Sequence, residues 1–311
     1  METHLLKEII ECLDDGRRIL HYFKDKYALY LLESLFGDND KITIANIRAS
    51  QFNKLLNKQV IKQITASCGD GFISREKLVE LFLLDYESYV LTLSDWGEKN
   101  DYSWVQTSRP GKNLVIQLNF TNEHDEFLSK QMVDGDLFKY YAHPIHEKKS
   151  SLAWARIDLD FNSGEALIEE IQSDWLRKVT FHQKLAARVQ SRGQDSYFYR
   201  GTHYSCKNMI AYSSSILNRY SKLWSETMLF STIRFIKEEL GLSKIFYHTV
   251  DTGRHLKNLV WSLPPRSIYT DLPNRFCFEK VSREPEFILS ERKIKKRLKK
   301  ITQSSWFYLK I

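Results

Sequence analysis

The sequence predicts an α+β fold. A helical N-terminal region covers residues 1–86, and a mixed α/β core of about seven strands, largely antiparallel, covers 87–311. Three observations lead there. Apolar residues recur at helical spacing through the first eighty positions. From residue 88 the chain turns to short runs rich in β-branched and aromatic residues, with period-two stretches. In the C-terminal half, helical segments fall between such runs.

The elements follow in order. In HYFKDKYALYLLESLFG, Tyr27, Leu31 and Leu35 share a helical face, and Gly37 is a natural stop. ITIANIRASQFNKLLN carries Ala45, Ala49, Phe52 and Leu56 on another face, with Thr43 as N-cap. SCGDGF at 67–72 is a turn, because the acidic spacing of a calcium loop is missing, and SREKLVELFLLDY restarts a helix. SYVLTLSDW, NLVIQLNF, LAWARIDLDF and EALIEEIQSDW read as strands. Asn162-Ser163-Gly164 joins the last two as a hairpin, since Asn and Gly tolerate the left-handed backbone of such turns. Residues 180–220, aromatic and polar without clear period, read as an irregular insertion. SETMLFSTIRFIKEELG then sets Leu229, Ile233, Ile236 and Leu240 on one stripe, with Ser225 as N-cap and Gly241 past the end. KIFYHTV is a strand, DTGRHLKN opens a helix, PPRSIYTDLP is a short turn or helix, and NRFCFEKV and WFYLKI are late strands.

Composition narrows the function classes. Hydrophobic residues at 42% and charged residues at 27% of 311 are those of a globular chain, not a disordered one. No apolar run approaches the ~18 residues of a membrane span, and METHLLKEIIECLDDG is too charged for a signal peptide, so a soluble cytoplasmic protein is expected. Cys12, Cys68, Cys206 and Cys277 stand far apart without a CxxC, as thiols in a reducing compartment do. The formal net charge is +7, and the segment ERKIKKRLKK at 291–300 holds seven basic residues and one acidic. Ile294, Leu298 and Ile301 give it one apolar stripe, so a helix is expected over about 290–301. Such a helix is either a solvated, packed element or a surface for nucleic acid or an acidic partner. In the second case Lys293, Lys295, Lys296, Arg297, Lys299 and Lys300 make the contacts.

WVQTSRPGKNLVIQLNF, LAWARIDLDF, ALIEEIQSDW, the helix from Trp224 to Gly241 and PPRSIYTDLPNRFCF together resemble an uncharacterised bacterial protein family. IEEIQSDW and PPRSIYT are its most specific strings. IEEIQSDW followed by a W-x-E-x-x-L-like helix is also similar to modules of polyvalent proteins of phages and mobile elements. The C-terminal half distantly resembles the GNAT acyltransferase superfamily. That resemblance implies a GNAT-like core: a central strand leading to a helix, a second strand, and a short helix bearing a tyrosine. It implies acyl transfer from acetyl-CoA or another acyl-CoA to an amine acceptor of unknown identity, with Glu169 or Glu170 as general base and Tyr269 as the acid that protonates the departing thiolate. The family's Q/R-x-x-G-x-G/A loop for the pyrophosphate is missing, and SDWLRKV stands in its place.

Read from the residues alone, strand alternation sends Glu170, Gln172 and Asp174 to one face and Glu169, Ile171 and Ser173 to the other. Glu169, beside apolar Ile171, would be desolvated, which raises a carboxyl pKa toward a base's working range; an ordinary salt-bridged strand glutamate is the plainer reading. Asp158, Asp160 and Glu170 across the hairpin permit a second chemistry, a Mg²⁺-dependent nuclease of PD-(D/E)XK type, with Gln172 where that motif needs lysine. Two loops are candidates for an anion. Thr107-Ser108-Arg109-Pro110-Gly111-Lys112 offers Arg109 and Lys112. Asp251 to Lys257 offers Gly253, Arg254 and Lys257 at a helix start, with Arg266 nearby. Neither is a P-loop. His248 alternates with Phe246 and Val250 on a strand, where it is either a core histidine or a base. His143 and His146 are three apart, but Pro144 prevents the helical geometry a metal pair needs, and His124 has carboxylates next door. Ser213-Ser214-Ser215 lacks the context of a nucleophile. Tyr197, Tyr199, Arg200, His203 and Tyr204 form an aromatic and basic cluster that suits either base stacking or packing over the core.

Overall fold

The computed structural model describes residues 1, 3–14, 18–80, 86–97, 106–257, 265–301 and 304–311. Its N-terminal part runs α1 (Thr3–Asp14), β1 (Arg18–Tyr22), α2 (Lys26–Glu33), β2 (Lys41–Thr43), α3 (Ile44–Ala49), α4 (Gln59–Ala66), β3 (Phe72–Ser74) and α5 (Arg75–Glu80). The core continues with β4 (Glu87–Trp96), β5 (Asn113–Asn119), α6 (Asn122–Lys130), β6 (Ser151–Asp160), β7 (Glu165–Gln172) and α7 (Asp174–Gln190). Then come β8 (Ser196–Tyr199), β9 (Thr202–Ser205), α8 (Cys206–Tyr220), α9 (Trp224–Glu238), β10 (Lys244–His248) and α10 (Val250–Leu256). The chain closes with α11 (Arg266–Tyr269), α12 (Asp271–Arg275), β11 (Glu279–Val281), α13 (Arg292–Leu298) and β12 (Trp306–Lys310).

Eight strands form the main sheet in the order β1-β4-β5-β6-β7-β10-β12-β11. Every pairing is antiparallel except β7 with β10, which α7 to α9 connect. The α+β class is therefore as expected, with one strand more than foreseen. That strand is β1, contributed by the stretch read as helical; His21 and Tyr22 end it before α2 begins.

Register assigns the two faces. Leu118, Ile116, Ala155, Ile157, Ile168 and Ile245 fall on one side and join the large core, which α9 covers. The other side is apolar only near β7, β10 and β12. There Leu167, Phe246, Trp306, Ile294 and Leu298 make a smaller core that pins the basic helix α13 by its expected stripe. Toward β4, β5 and β6 that second face carries Thr92, Ser94, Trp96, Gln117, Asn119, Trp154, Arg156 and Asp158. Such a run of polar side chains on central strands must satisfy its hydrogen bonds internally. It does so in part through Thr92 to Gln117, Asn119 to Thr92, and Gln117 to Ser94 and the carbonyl of Pro144.

Several local expectations change. The stretch 180–220 is not irregular: α7 and α8 occupy most of it, packed on each other around the two-stranded β8–β9 hairpin. Ser225 lies inside α9, whose N-cap is Leu223. NRFCFEKV yields only the short β11, because Cys277 adopts a left-handed backbone at φ 60°. Thr43 caps α3 through Asn46 N–H as expected, and the hairpin turn at Gly164 (φ 67°) and the stop at Gly241 (φ 66°) have the left-handed backbone glycine accommodates. No described helix is long and apolar enough to cross a membrane, and the four cysteines carry free thiols.

Candidate active site

The centre of the polar face is a break in the β6–β7 ladder. Arg156 pairs with Glu170 and Ile157 with Ile168, so Glu169 is an extra residue, a β-bulge. The bulge overturns the alternation expected for β7. Glu170 stands opposite Arg156 and ion-pairs with it, and Glu169 turns to the same side of the sheet, where it meets His248. Both carboxylates thus share one side of the sheet instead of facing apart.

Three residues close around Glu169. The Ser108 main-chain N–H donates to its Oε1 at 3.0 Å, and the Ser108 hydroxyl lies 2.8 Å from its Oε2. His248 Nε2 is 2.8 Å from the same hydroxyl and 3.2 Å from Glu169 Oε2. Lys257 donates to the main-chain carbonyl of Glu169, and its Nζ is 3.8 Å from Oε2 of both Glu169 and Glu170. Parallel pairing of β7 with β10 ends at Ile168 and Tyr247, immediately before this cluster. The seat of His248 is set by α10: Thr249 and Thr252 form a capping box, and Thr252 Oγ1 lies 3.2 Å from His248 Nδ1. Gly253 sits against the imidazole, where a Cβ would be 3.5 Å from His248 Cβ.

The electrostatics differ from the expectation for a desolvated base. Burial does push the Glu169 carboxyl up, but the His248 hydrogen bond and the nearby cations more than offset it and bring it down to about 2. Glu170 is likewise held low against burial by Arg156 and Lys257. Burial lowers His248 despite its bond to Glu169, so a neutral imidazole faces an ionised carboxylate. This is not the triad of a serine hydrolase. The hydroxyl and the carboxylate share Nε2, whereas a triad places them on opposite ring nitrogens. Glu169, His248, Ser108 and Lys257 are buried, whereas Glu170 is 15% exposed, so Glu170 is the carboxylate a substrate can reach.

A second dyad stands beside it. His143 Nδ1 is 2.7 Å from Asp174 Oδ2, which Trp154 Nε1–H also reaches at 3.1 Å; Gln172 and Arg177 take the other oxygen at 2.8 and 2.5 Å. Burial raises the Asp174 carboxyl, but the His143 bond and these donors bring it below its ordinary value. Ring edges of Trp96, Tyr140 and Trp154 surround the imidazole at 6.5, 4.6 and 5.4 Å. His143 is 25% exposed, and its Nε2 has no hydrogen-bond partner among the described residues. A carboxylate on Nδ1 with Nε2 free is the arrangement that keeps a histidine ready to accept a proton.

The remaining expected residues disperse. Arg109 binds both oxygens of Asp158, at 2.5 and 3.0 Å, and stacks over Phe287; the Met1 amino group reaches Asp158 at 3.1 Å. Lys112 pairs with Asp95, and Asp160 caps the hairpin turn through Ser163. Arg254 and Arg266 are exposed. Tyr269 is buried against Tyr247, ring centroids 5.5 Å apart, with a hydroxyl pKa well above the ordinary value from burial and nearby Glu170. His146 caps a local turn through Lys148 and Lys149 N–H, and His124 stacks on Phe120 in the core. Ser213 is buried inside α8. Lys295 and Lys296 on α13 and Lys299 and Lys300 just after it are exposed, Arg297 bonds the carbonyl of Leu256, and the side chain of Lys293 lies outside those described.

Sequence reasoning passed over three members of the site. Arg156 hides in an otherwise apolar strand, Ser108 was one hydroxyl in a candidate anion loop, and His143 was weighed only as half of a metal pair. The available signal was an arginine in AWARIDL cross-strand from two adjacent glutamates. Among the described residues no group of three His, Cys, Asp or Glu side chains is placed to hold a metal ion. No family model, curated protein or solved structure matches the chain.

Proposed function

We propose that the chain is an acyl-transfer enzyme with a GNAT-like core, acting on an amine that enters between Glu170 and His143. One observation carries the reading: an Asp174-oriented histidine with a free Nε2 stands beside a reachable carboxylate, at the point where the parallel strands β7 and β10 part. The order of elements supports it, since β7 leads to helices, then to β10, then to α11 with Tyr269. The amine enters beside Glu170, whose charge Arg156 already matches, and His143 Nε2 takes a proton from its ammonium form so that the amine can attack. Asp174 holds the imidazole in the tautomer that leaves Nε2 unprotonated. Tyr269, held fully protonated, keeps the capacity to return a proton to a leaving group.

A CoA-type donor fits the described residues poorly. Arg109, Lys112 and Lys257 are bound to internal acceptors, and the Thr252 and Gly253 N–H groups at the start of α10 are taken up by the capping box and the helix. Only Arg254 and Arg266, of the cations expected to bind it, remain exposed. No step is therefore assigned to that donor. The Mg²⁺ nuclease alternative is weaker still: Asp158 is neutralised by Arg109 and Glu170 by Arg156, so a metal ion would have to displace a cation at each.

The test is a thermal-shift series with acetyl-CoA, free CoA, Mg²⁺ and Mn²⁺, followed by acyl transfer to a panel of amines. A ligand at ~100 times its dissociation constant stabilises the native state by about 2.7 kcal/mol. A shift with CoA and turnover lost in His143→Ala support the proposal. A shift with metal alone, or turnover indifferent to His143, overturns it.

A further inference from the structure

We infer that the α7 helix and the β8–β9 hairpin form a binding surface for single-stranded nucleic acid. This goes beyond acyl transfer and does not rest on it. The segment 174–207 holds seven Lys and Arg against two Asp and Glu, and Asp174 is already paired with His143 and Arg177. With the basic helix it carries all the excess positive charge of the chain, so the rest is net acidic. Positive charge concentrated on two short segments of an otherwise acidic molecule is the footprint expected of a polyanion site, and 174–207 is the one of the two that carries exposed aromatic rings.

The aromatic side chains give that surface its second property. Phe181 on α7 is 52% exposed and Phe198 on β8 is 63% exposed, and Phe198 lies against His203 with ring centroids 5.1 Å apart. Each ring touches a neighbouring ring on one side and leaves about half of its surface to solvent. The turn is a two-residue hairpin in which Arg200 (φ 48°) and Gly201 (φ 88°) both take positive φ, a rigid geometry that thrusts Arg200 outward over Tyr199. Tyr199 in turn contacts Phe181 and His182. Below it, Lys178 and Arg177 flank Tyr140, whose ring lies 4.6 Å from His143. The crowding of cations is strong enough that Arg200 and Arg177 help burial depress Lys178. A line of alternating rings and cations thus leads from the hairpin tip to the mouth of the candidate site.

Flat exposed rings interleaved with cations match the chemistry of unpaired bases on a phosphate backbone: bases stack, phosphates pair with Lys and Arg. A duplex hides its base faces, and an acidic peptide has none, so both meet only the charge. The test is fluorescence anisotropy with labelled 12-nucleotide U and T strands, a 12-base-pair duplex, and polyglutamate as competitor, at 50 and 200 mM salt. Phe198→Ala should weaken single-strand binding about tenfold at either salt. Arg200→Ala should reduce the slope of log K on log salt by about 0.7, the loss of one phosphate contact on a single strand. Circular dichroism confirms that both variants are folded. A preference for either sugar identifies the ligand and supports the inference. No binding at 50 mM salt, binding unchanged in both variants, or equal competition by duplex or polyglutamate overturns it. So does loss of binding on charge reversal of Lys296 and Lys299 while Phe198→Ala binds as before.

Discussion

The Lys257 ammonium donates to the main-chain carbonyl of Glu169 and stands equally far, 3.8 Å, from the carboxylates of Glu169 and Glu170. With Arg156, it lets two adjacent acids stand on the same side of the sheet. Lys257→Met keeps the stem and removes the charge. It should cost about 3–5 kcal/mol at pH 7, because an uncompensated buried charge remains. The loss should shrink below pH 5, as the carboxylates take up protons instead. Urea unfolding at pH 7 and pH 4.5 checks both parts.

Burial holds three histidines below their ordinary pKa: His124 at about 3, His182 at about 4, and His248 also lowered. In the unfolded chain each takes up a proton near pH 6.5, while the folded chain refuses it until lower pH. The unfolded state then binds more protons, so stability is intact above pH 7 and falls as pH drops through 6 toward 4. Near pH 5 His124 and His182 should together give a slope of about two protons, about 3 kcal/mol per pH unit, to which His248 adds in the same direction. Unfolding free energies between pH 7.5 and 5 measure it, and His182→Gln should remove about one proton from the slope.

Glu226 ties the N-terminal region to the core. Its buried carboxylate accepts from the Tyr22 hydroxyl at 2.7 Å and the Asp25 N–H at 2.6 Å, and it ion-pairs with Arg275. Glu226→Ala leaves two buried donors without an acceptor and should destabilise by about 2–4 kcal/mol. Proteolysis should then begin in residues 18–36, as mass spectrometry of early fragments would reveal.

Asp174→Asn tests the second dyad. The amide keeps the shape but no longer fixes the imidazole tautomer or balances its positive form, so turnover should fall about 10²–10⁴-fold with little change in KM. An unchanged melting temperature and circular dichroism spectrum separate this from a structural defect.

Much of the scaffold was legible because its signals are local. The β6–β7 hairpin follows from a turn tripeptide between two alternating runs, and α9 from an apolar stripe with a glycine stop. The helices α7 and α8 were illegible for a physical reason. Their buried faces carry His182 and Tyr212 among the apolar residues, and the pairs His182–Tyr197 and Tyr212–Trp175 satisfy those groups across the structure, as Gln183–Ser214 does at the seam between the helices. Polarity conceals helical period when partners come from elsewhere in the chain. The candidate site was half visible: Glu169, Glu170, Asp174 and His248 stand out as residue types. The bulge that brings the two glutamates together depends on register with Arg156, which no single strand records.

The pocket at the bulge is electrically closed. Glu169 and Glu170 are matched by Arg156 and Lys257, with His248 neutral between them. Any charged molecule that settles there disturbs that neutrality and must carry a proton in or drive one out. Occupancy should therefore be coupled to proton exchange with the medium. Titration calorimetry in two buffers of unequal ionisation enthalpy would read the coupling as a difference in apparent heat, even before the molecule's chemical fate is known.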